Sequence, residues 1–217
     1  MSDSPKVQAR VVPWLYGMLL PIHRFLLGFY FQQIRVEGRE YLPETGAFVL
    51  APKHYSRWDP LVLALLSREP FYFMAKADQC EGFQGWFSQR LGAFPVDLER
   101  PAISSLKTAI ALLASGQKLV LFPEGGIVRD ELLRSLQPGL ARLVLQAESL
   151  CNQTIPIVPI AIRYEPDAIK GAIVCLQICP PLHSGDYRQS TDKRTAAALT
   201  LALENVLREK LHQLQQQ

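Results

Sequence analysis

The sequence predicts a single α/β domain with a mostly parallel central sheet flanked by helices. Three observations carry that expectation. Apolar runs such as Phe48-Val49-Leu50-Ala51 and Leu119-Val120-Leu121-Phe122 read as short buried strands. The run Ser104–Ser115 reads as a helix and the Glu124 strand follows at once, a β-α-β pattern that implies parallel pairing. Length and composition agree, because 217 residues with 48% apolar and 20% charged side chains suit one globular domain with a sizeable core.

Taken in order, the chain opens on a polar leader, Met1–Arg10, and an apolar run, Val11–Phe31. Pro13 and Pro21 break the run, and His23 and Arg24 fall inside it. A spanning helix wants about 20 predominantly apolar residues with few charges, which this run does not supply cleanly. No small-residue cleavage site follows, so a signal peptide is not expected. Trp14, Met18, Ile22, Phe25, Leu26 and Phe29 share one helical face, the pattern of an amphipathic helix lying in the lipid headgroup region. A core-packing helix and a true span are the two other readings. The division is therefore a membrane-associating segment, 1–33, and a domain, 34–217.

Ile34–Gly38 reads as an edge strand of alternating polarity, and Leu42–Gly46 carries turn chemistry. Phe71–Ala75 is the next strand and ends at Lys76, and Gly82–Leu91 reads as a short helix that buries Phe83, Trp86 and Phe87. In the Ser104–Ser115 helix, Leu106, Ile110 and Leu113 are expected inward, with Gly116 as the stop. Gly139–Leu150 is a helix, and Ile155–Ile162 is a strand whose Pro156 and Pro159 point to an edge or a bulge. Ala172–Ile178 is the last strand. Thr191–Leu214 closes the chain as a helix with Leu199, Leu203, Val206, Leu207 and Leu211 buried, and Gln213–Gln217 is expected to fray.

The chemistry concentrates where the Phe48 strand gives way to a helix beginning near Pro60, a residue suited to a first helical position. There His54 and Asp59 lie five residues apart. Open α/β sheets place ligand crevices at the carboxyl ends of their strands. Histidine suits proton removal from a hydroxyl, and an Asp on its other ring nitrogen would fix the tautomer. Alone, the pair also fits a surface His and a helix-capping Asp.

A net charge of +3 favours an anionic membrane surface or phosphorylated substrates, and no nucleic-acid partner is expected. Cys80, Cys151, Cys175 and Cys179 form no CxxC pair, so neither a zinc site nor a disulfide framework is indicated. Reduced core cysteines in a cytoplasmic compartment are expected.

A second block changes the weight of the first. Lys118–Phe122 runs into Pro123-Glu124-Gly125-Gly126, with Glu124 seventy positions after His54. Together with His54-Tyr55-Ser56-Arg57-Trp58-Asp59, it resembles the PlsC-type glycerolipid acyltransferases, the 1-acylglycerol-3-phosphate acyltransferases. Their N-H-x-S-x-x-D and F-P-E-G-T-R-S blocks stand in the same order, and the resemblance covers about residues 35–165. It implies a membrane-associated enzyme that moves a fatty acyl group from acyl-CoA or acyl carrier protein to a lysophosphatidate hydroxyl, with no metal or other cofactor. The HxxxxD pair His54 and Asp59 would be catalytic.

Substrate contacts would come from Ser56, Arg57, Lys76, Arg100, Glu124, Gly125, Gly126 and Arg129. Arg100 follows a Gly92–Glu99 segment similar to the family's phosphate-binding block, with Leu98 at the usual Arg position. A surface Arg paired with Glu99 or Asp97 is the other reading. Lys76 is equally consistent with a solvated strand end, and Gly125-Gly126 with an ordinary turn. Gly126-Ile127-Val128 replaces Thr-Arg-Ser, and Gln137-Pro138-Gly139 stands where relatives have Lys-x-Gly. Ile155–Ile162 matches the family's V-P-[IV] block. The expected place of work is the cytoplasmic face of a membrane, peripheral or monotopic. The rival readings are another lipid acceptor (glycerol-3-phosphate, a lysophospholipid or a lipid alcohol) and a non-catalytic lipid-binding relative.

Overall fold

The run Phe48–Pro52 forms a strand with all five residues buried, so it needs cover on both faces. The computed structural model, which describes residues 11–76, 90–96 and 103–216, provides that cover. In chain order the elements begin with α1 (Pro13–Tyr30), β1 (Gln33–Glu37), β2 (Phe48–Pro52) and α2 (Asp59–Leu63). Then come β3 (Tyr72–Lys76), β4 (Ala93–Val96), α3 (Ile103–Ala114) and β5 (Lys118–Val120). The last are α4 (Gly139–Cys151), β6 (Ile157–Glu165), β7 (Ile173–Ile178) and α5 (Asp192–Gln215). The seven strands form one sheet in the order β1-β7-β6-β2-β5-β3-β4. Each neighbouring pair is parallel except β6 and β7, which run antiparallel.

Alternation along β2 divides the core. Val49 and Ala51 face the cluster formed with α3, α4 and α5, including Leu113, Val144, Leu203 and Leu207. Phe48 and Leu50 face the opposite cluster, with Leu27, Phe31, Val62 and Leu63. The result is a helix–sheet–helix sandwich with β2 fourth in the sheet.

Three local expectations are corrected. The Ile155–Ile162 strand is not an edge, because β6 lies between β2 and β7. Pro159 is tolerated there because it sits opposite Cys179, one residue past the end of β7; Cys179 N–H donates to Pro159 O at 2.9 Å, and only one reciprocal bond is lost. Leu106 is 38% exposed rather than inward, since Ser105, Ala109 and Leu113 occupy the buried ridge of α3. As the one-face pattern from Trp14 to Phe29 expects, α1 runs on through Pro21; Pro21 and Gly17, whose carbonyl loses its partner, are both exposed. The last helix continues to Gln215, anchored by buried Leu211 and Leu214, with Val206 only partly buried. Residues 82–89, including Phe83, Trp86 and Phe87, lie outside the described residues.

The inner side of α1 buries Tyr16 and Leu27, and Phe31 follows just past its end. Its outer side carries Trp14, Met18, Ile22, Phe25, Leu26 and Phe29, from 50% exposed at Ile22 to 74% at Phe25. Among the described residues no helix is long and apolar enough to cross a membrane.

Candidate active site

The carboxyl end of β2 delivers Lys53 and His54 into a loop that α2 terminates at Asp59. Pro60 occupies the first turn of α2, and the Asp59 side chain does not cap that helix. It turns back into the loop instead. Asp59 Oδ2 accepts from Tyr55 N–H at 2.7 Å, Ser56 N–H at 2.8 Å and His54 Nδ1 at 2.9 Å. Asp59 Oδ1 accepts from the Tyr164 hydroxyl at 2.7 Å. A carboxylate only accepts, so it fixes the proton on Nδ1 and leaves Nε2 as the basic nitrogen. The imidazole stacks on Phe122 with ring centres 3.8 Å apart, and 16% of its side chain remains exposed. A surface His beside a capping Asp is therefore not what the loop contains.

The second block packs beneath the first. Lys53 Nζ and Glu124 Oε1 are 2.7 Å apart, with 3% and 0% of their side chains exposed. Glu124 Oε2 accepts from the His54 backbone N–H at 2.8 Å, and Oε1 also accepts from Arg134 N–H at 3.1 Å. On the other side of the same residue, Val128 N–H donates to His54 O at 2.9 Å. His54 is thus held through both of its backbone groups by the segment that follows β5. Gly125 provides the turn at φ +75°, and its N–H donates to Phe122 O at 3.1 Å. The spaces where Cβ atoms would stand on Gly125 and Gly126 are open.

The other residues singled out from sequence fall in different places. Ser56 is 2% exposed, and its hydroxyl accepts from Trp58 N–H at 3.3 Å, so it shapes the turn. Arg57 is exposed on the loop. Glu124 is closed off from solvent beneath the loop, with both oxygens engaged by protein donors. Arg129 is exposed; its Nε donates to Tyr55 O at 3.1 Å, and its guanidinium lies 5.3 Å from the centre of the Tyr55 ring. Lys76 ends β3, which borders β5 in the sheet. Arg100 lies outside the described residues. A cleft of about 710 Å³ opens beside the loop between Tyr55, Arg129, Leu132, Arg163, Tyr164 and Leu211.

Sequence reasoning missed Lys53, Phe122 and Tyr164. Lys53 had a local signal, a lone cation closing an otherwise apolar strand one residue before His54. Tyr164 had none, since it stands 105 residues from Asp59. Burial and the Asp59 charge push its hydroxyl pKa far above the ordinary phenol value, so it remains a donor.

Known proteins with the same features bear on the chemistry. The family model described as Acyltransferase matches residues 33–163, which contain both blocks. The chain is 30% identical over 189 residues to the 1-acyl-sn-glycerol-3-phosphate acyltransferase of Bacillus subtilis, covering 84% of this chain and 90% of that protein. It is 36% identical over 81 residues to the Streptococcus pneumoniae protein of the same name, covering 36% of this chain and 31% of that one. Its fold is similar to the crystal structure of the 1-acyl-sn-glycerophosphate acyltransferase PlsC from Thermotoga maritima. The TM-score is 0.71 at 18% identity, over 94% of this chain and 80% of the other. With the family model covering more than half of its length, the chain belongs to the acyltransferase family.

Proposed function

We propose that this protein transfers a fatty acyl group from an acyl thioester, acyl-CoA or acyl carrier protein, to the free hydroxyl of 1-acyl-glycerol-3-phosphate. The product is phosphatidic acid. The observation that carries this reading is the His54–Asp59 contact at the carboxyl end of β2, with a half-buried imidazole clamped by the Glu124 turn. The names of the Bacillus and Streptococcus relatives supply the acceptor.

In this reading His54 Nε2 removes the acceptor's hydroxyl proton as the oxygen attacks the thioester carbonyl. Asp59 keeps the imidazole oriented and offsets its positive charge. The tetrahedral intermediate collapses, the carbon–sulfur bond breaks, and the thiolate takes the proton back from His54. The backbone N–H of Gly126, or Arg57, stabilises the oxyanion. Arg129 and Arg100 hold the acceptor phosphate, for which a guanidinium fork is suited, with Lys76 at the end of β3 as a further cation. The scheme requires no metal or prosthetic group.

The protein works at the cytoplasmic face of a membrane, with α1 lying in the interface and membrane lipids as its partners. Six large apolar side chains on the outer face of α1 support that placement. Lys170 adds a cation at this face, 5.2 Å from the centre of the Phe29 ring.

The test combines purified protein with palmitoyl-CoA or palmitoyl-acyl carrier protein and a panel of acceptors, reading thiol release. Turnover with lysophosphatidate above all other acceptors is expected. Preference for glycerol-3-phosphate, a lysophospholipid or a lipid alcohol would move the assignment to that acceptor, a change that Ile127, Val128 and Gln137 in the usual polar positions would accommodate. Lipid binding without turnover would leave a non-catalytic relative.

A further inference from the structure

We propose that Tyr164 is a positioning residue for acyl transfer: its hydroxyl ties the Asp59 carboxylate to the sheet and so sets the angle at which Asp59 holds His54. This rests on the reading of His54 as the base. Asp59 is wholly buried, and its two oxygens are served from different parts of the chain. The three donors to Oδ2 are His54, Tyr55 and Ser56, all within five residues of Asp59 on the same loop. They fix one oxygen of the carboxylate relative to the loop and leave its rotation about that oxygen to whatever holds Oδ1. Among the described residues, only the bond to Oδ1 comes from elsewhere, from β6, 105 residues along the chain.

Tyr164 is built to be a fixed reference. Its strand pairs with β7 at Tyr164 itself, opposite Val174, and with β2 as far as Ile160, four residues earlier. Its ring is 4% exposed and packs against Tyr55 and Phe31, with centres 5.7 and 5.9 Å away. The neighbouring Tyr55 cannot substitute, because its hydroxyl donates to Asp167 at 2.9 Å. A phenylalanine at 164 would keep the ring and remove only the donor, leaving Oδ1 buried without a partner. The carboxylate would then rotate toward whatever donors the loop offers, and the His54 Nδ1–H bond would change its geometry.

The experiment compares the full-length protein with Tyr164→Phe, each checked for folding by thermal melt. With palmitoyl-CoA and lysophosphatidate, kcat should fall about 10-fold, the factor that one ordinary hydrogen bond represents, with either KM changed less than about 2-fold. In the free protein, the far-downfield proton resonance of His54 Nδ1–H should move in Tyr164→Phe. That readout needs no turnover, so it stands even if the acyltransferase assignment fails. In an Asp59→Asn background, Tyr164→Phe should cost nothing further. An unchanged resonance, a full additional loss in that background, or a kcat loss matched by a rise in KM would overturn the proposal. Should Tyr164→Phe not fold, fluorotyrosine incorporation strengthens the donor with little change in packing. The same resonance must then move, and a stationary one would equally overturn the proposal.

Discussion

Replacing Glu124 by Gln separates two roles for that residue. As an acceptor ligand, its carboxylate would face the substrate, and its loss would raise the acceptor KM. In the structure it is buried and serves Lys53 Nζ, His54 N–H and Arg134 N–H. Removing its charge leaves the Lys53 ammonium, 3% exposed, without a counter-ion. Breaking a buried pair by losing one partner costs about 3–5 kcal/mol. Gln keeps the volume and one acceptor oxygen, so the low end applies, about 3 kcal/mol, or about 6–12 °C in melting temperature for a domain of this size. The kcat should fall because His54 loses the acceptor of its backbone N–H, while acceptor KM changes little. Adding Lys53→Met should recover at least half of the lost stability, since the stranded charge disappears. The assay is thermal unfolding in detergent, with initial rates of thiol release across acceptor concentrations. A Glu124→Gln protein melting within about 2 °C of the parent, with only a raised acceptor KM, would refute the buried-clamp argument.

Three further outcomes are expected. His54→Ala should lower turnover about 10²–10⁴-fold, the usual contribution of a general base, with the fold intact; thiol release measures it. Arg129→Ala should raise the lysophosphatidate KM more than it lowers kcat and spare the acyl-CoA KM, because a phosphate contact persists through the reaction. Phe25→Asp with Phe29→Asp should release the protein from anionic vesicles in co-sedimentation without affecting folding, since both rings point outward at 74% and 72% exposure.

The parts of this molecule that were legible in sequence are those whose signal is local. The all-apolar β2, the Pro60 helix start and the five-residue spacing of His54 and Asp59 are each contained in a dozen residues, and the structure puts them together as read. The outward stripe of α1 was legible for the same reason, since a 3.6-residue period needs no tertiary information. What escaped depends on partners far along the chain. Pro159 argued for an edge because a strand's own sequence does not say where its neighbour ends. Leu106 was expected inward because the burial of Ser105 is decided by the sheet. Glu124 was read as a substrate ligand because nothing near it shows that Lys53 will be its counter-ion.

The departures from the family pattern gain meaning from which atoms the turn uses. Gly126-Ile127-Val128 lacks the polar side chains of Thr-Arg-Ser, yet the turn grips His54 through the Val128 backbone N–H, which any residue but proline supplies. The other grip is the Glu124 carboxylate, and that residue type is retained. Side-chain changes at 127 and 128 therefore leave the support of the base untouched and alter only what projects from the turn. Val128 is 1% exposed and Ile127 is 40% exposed, so Ile127 is the one that offers a new surface beside the loop, an apolar one. On these grounds the support of His54 is fixed by backbone and buried contacts, and under the proposed function the choice of acceptor is left to Ile127 together with the exposed Arg129.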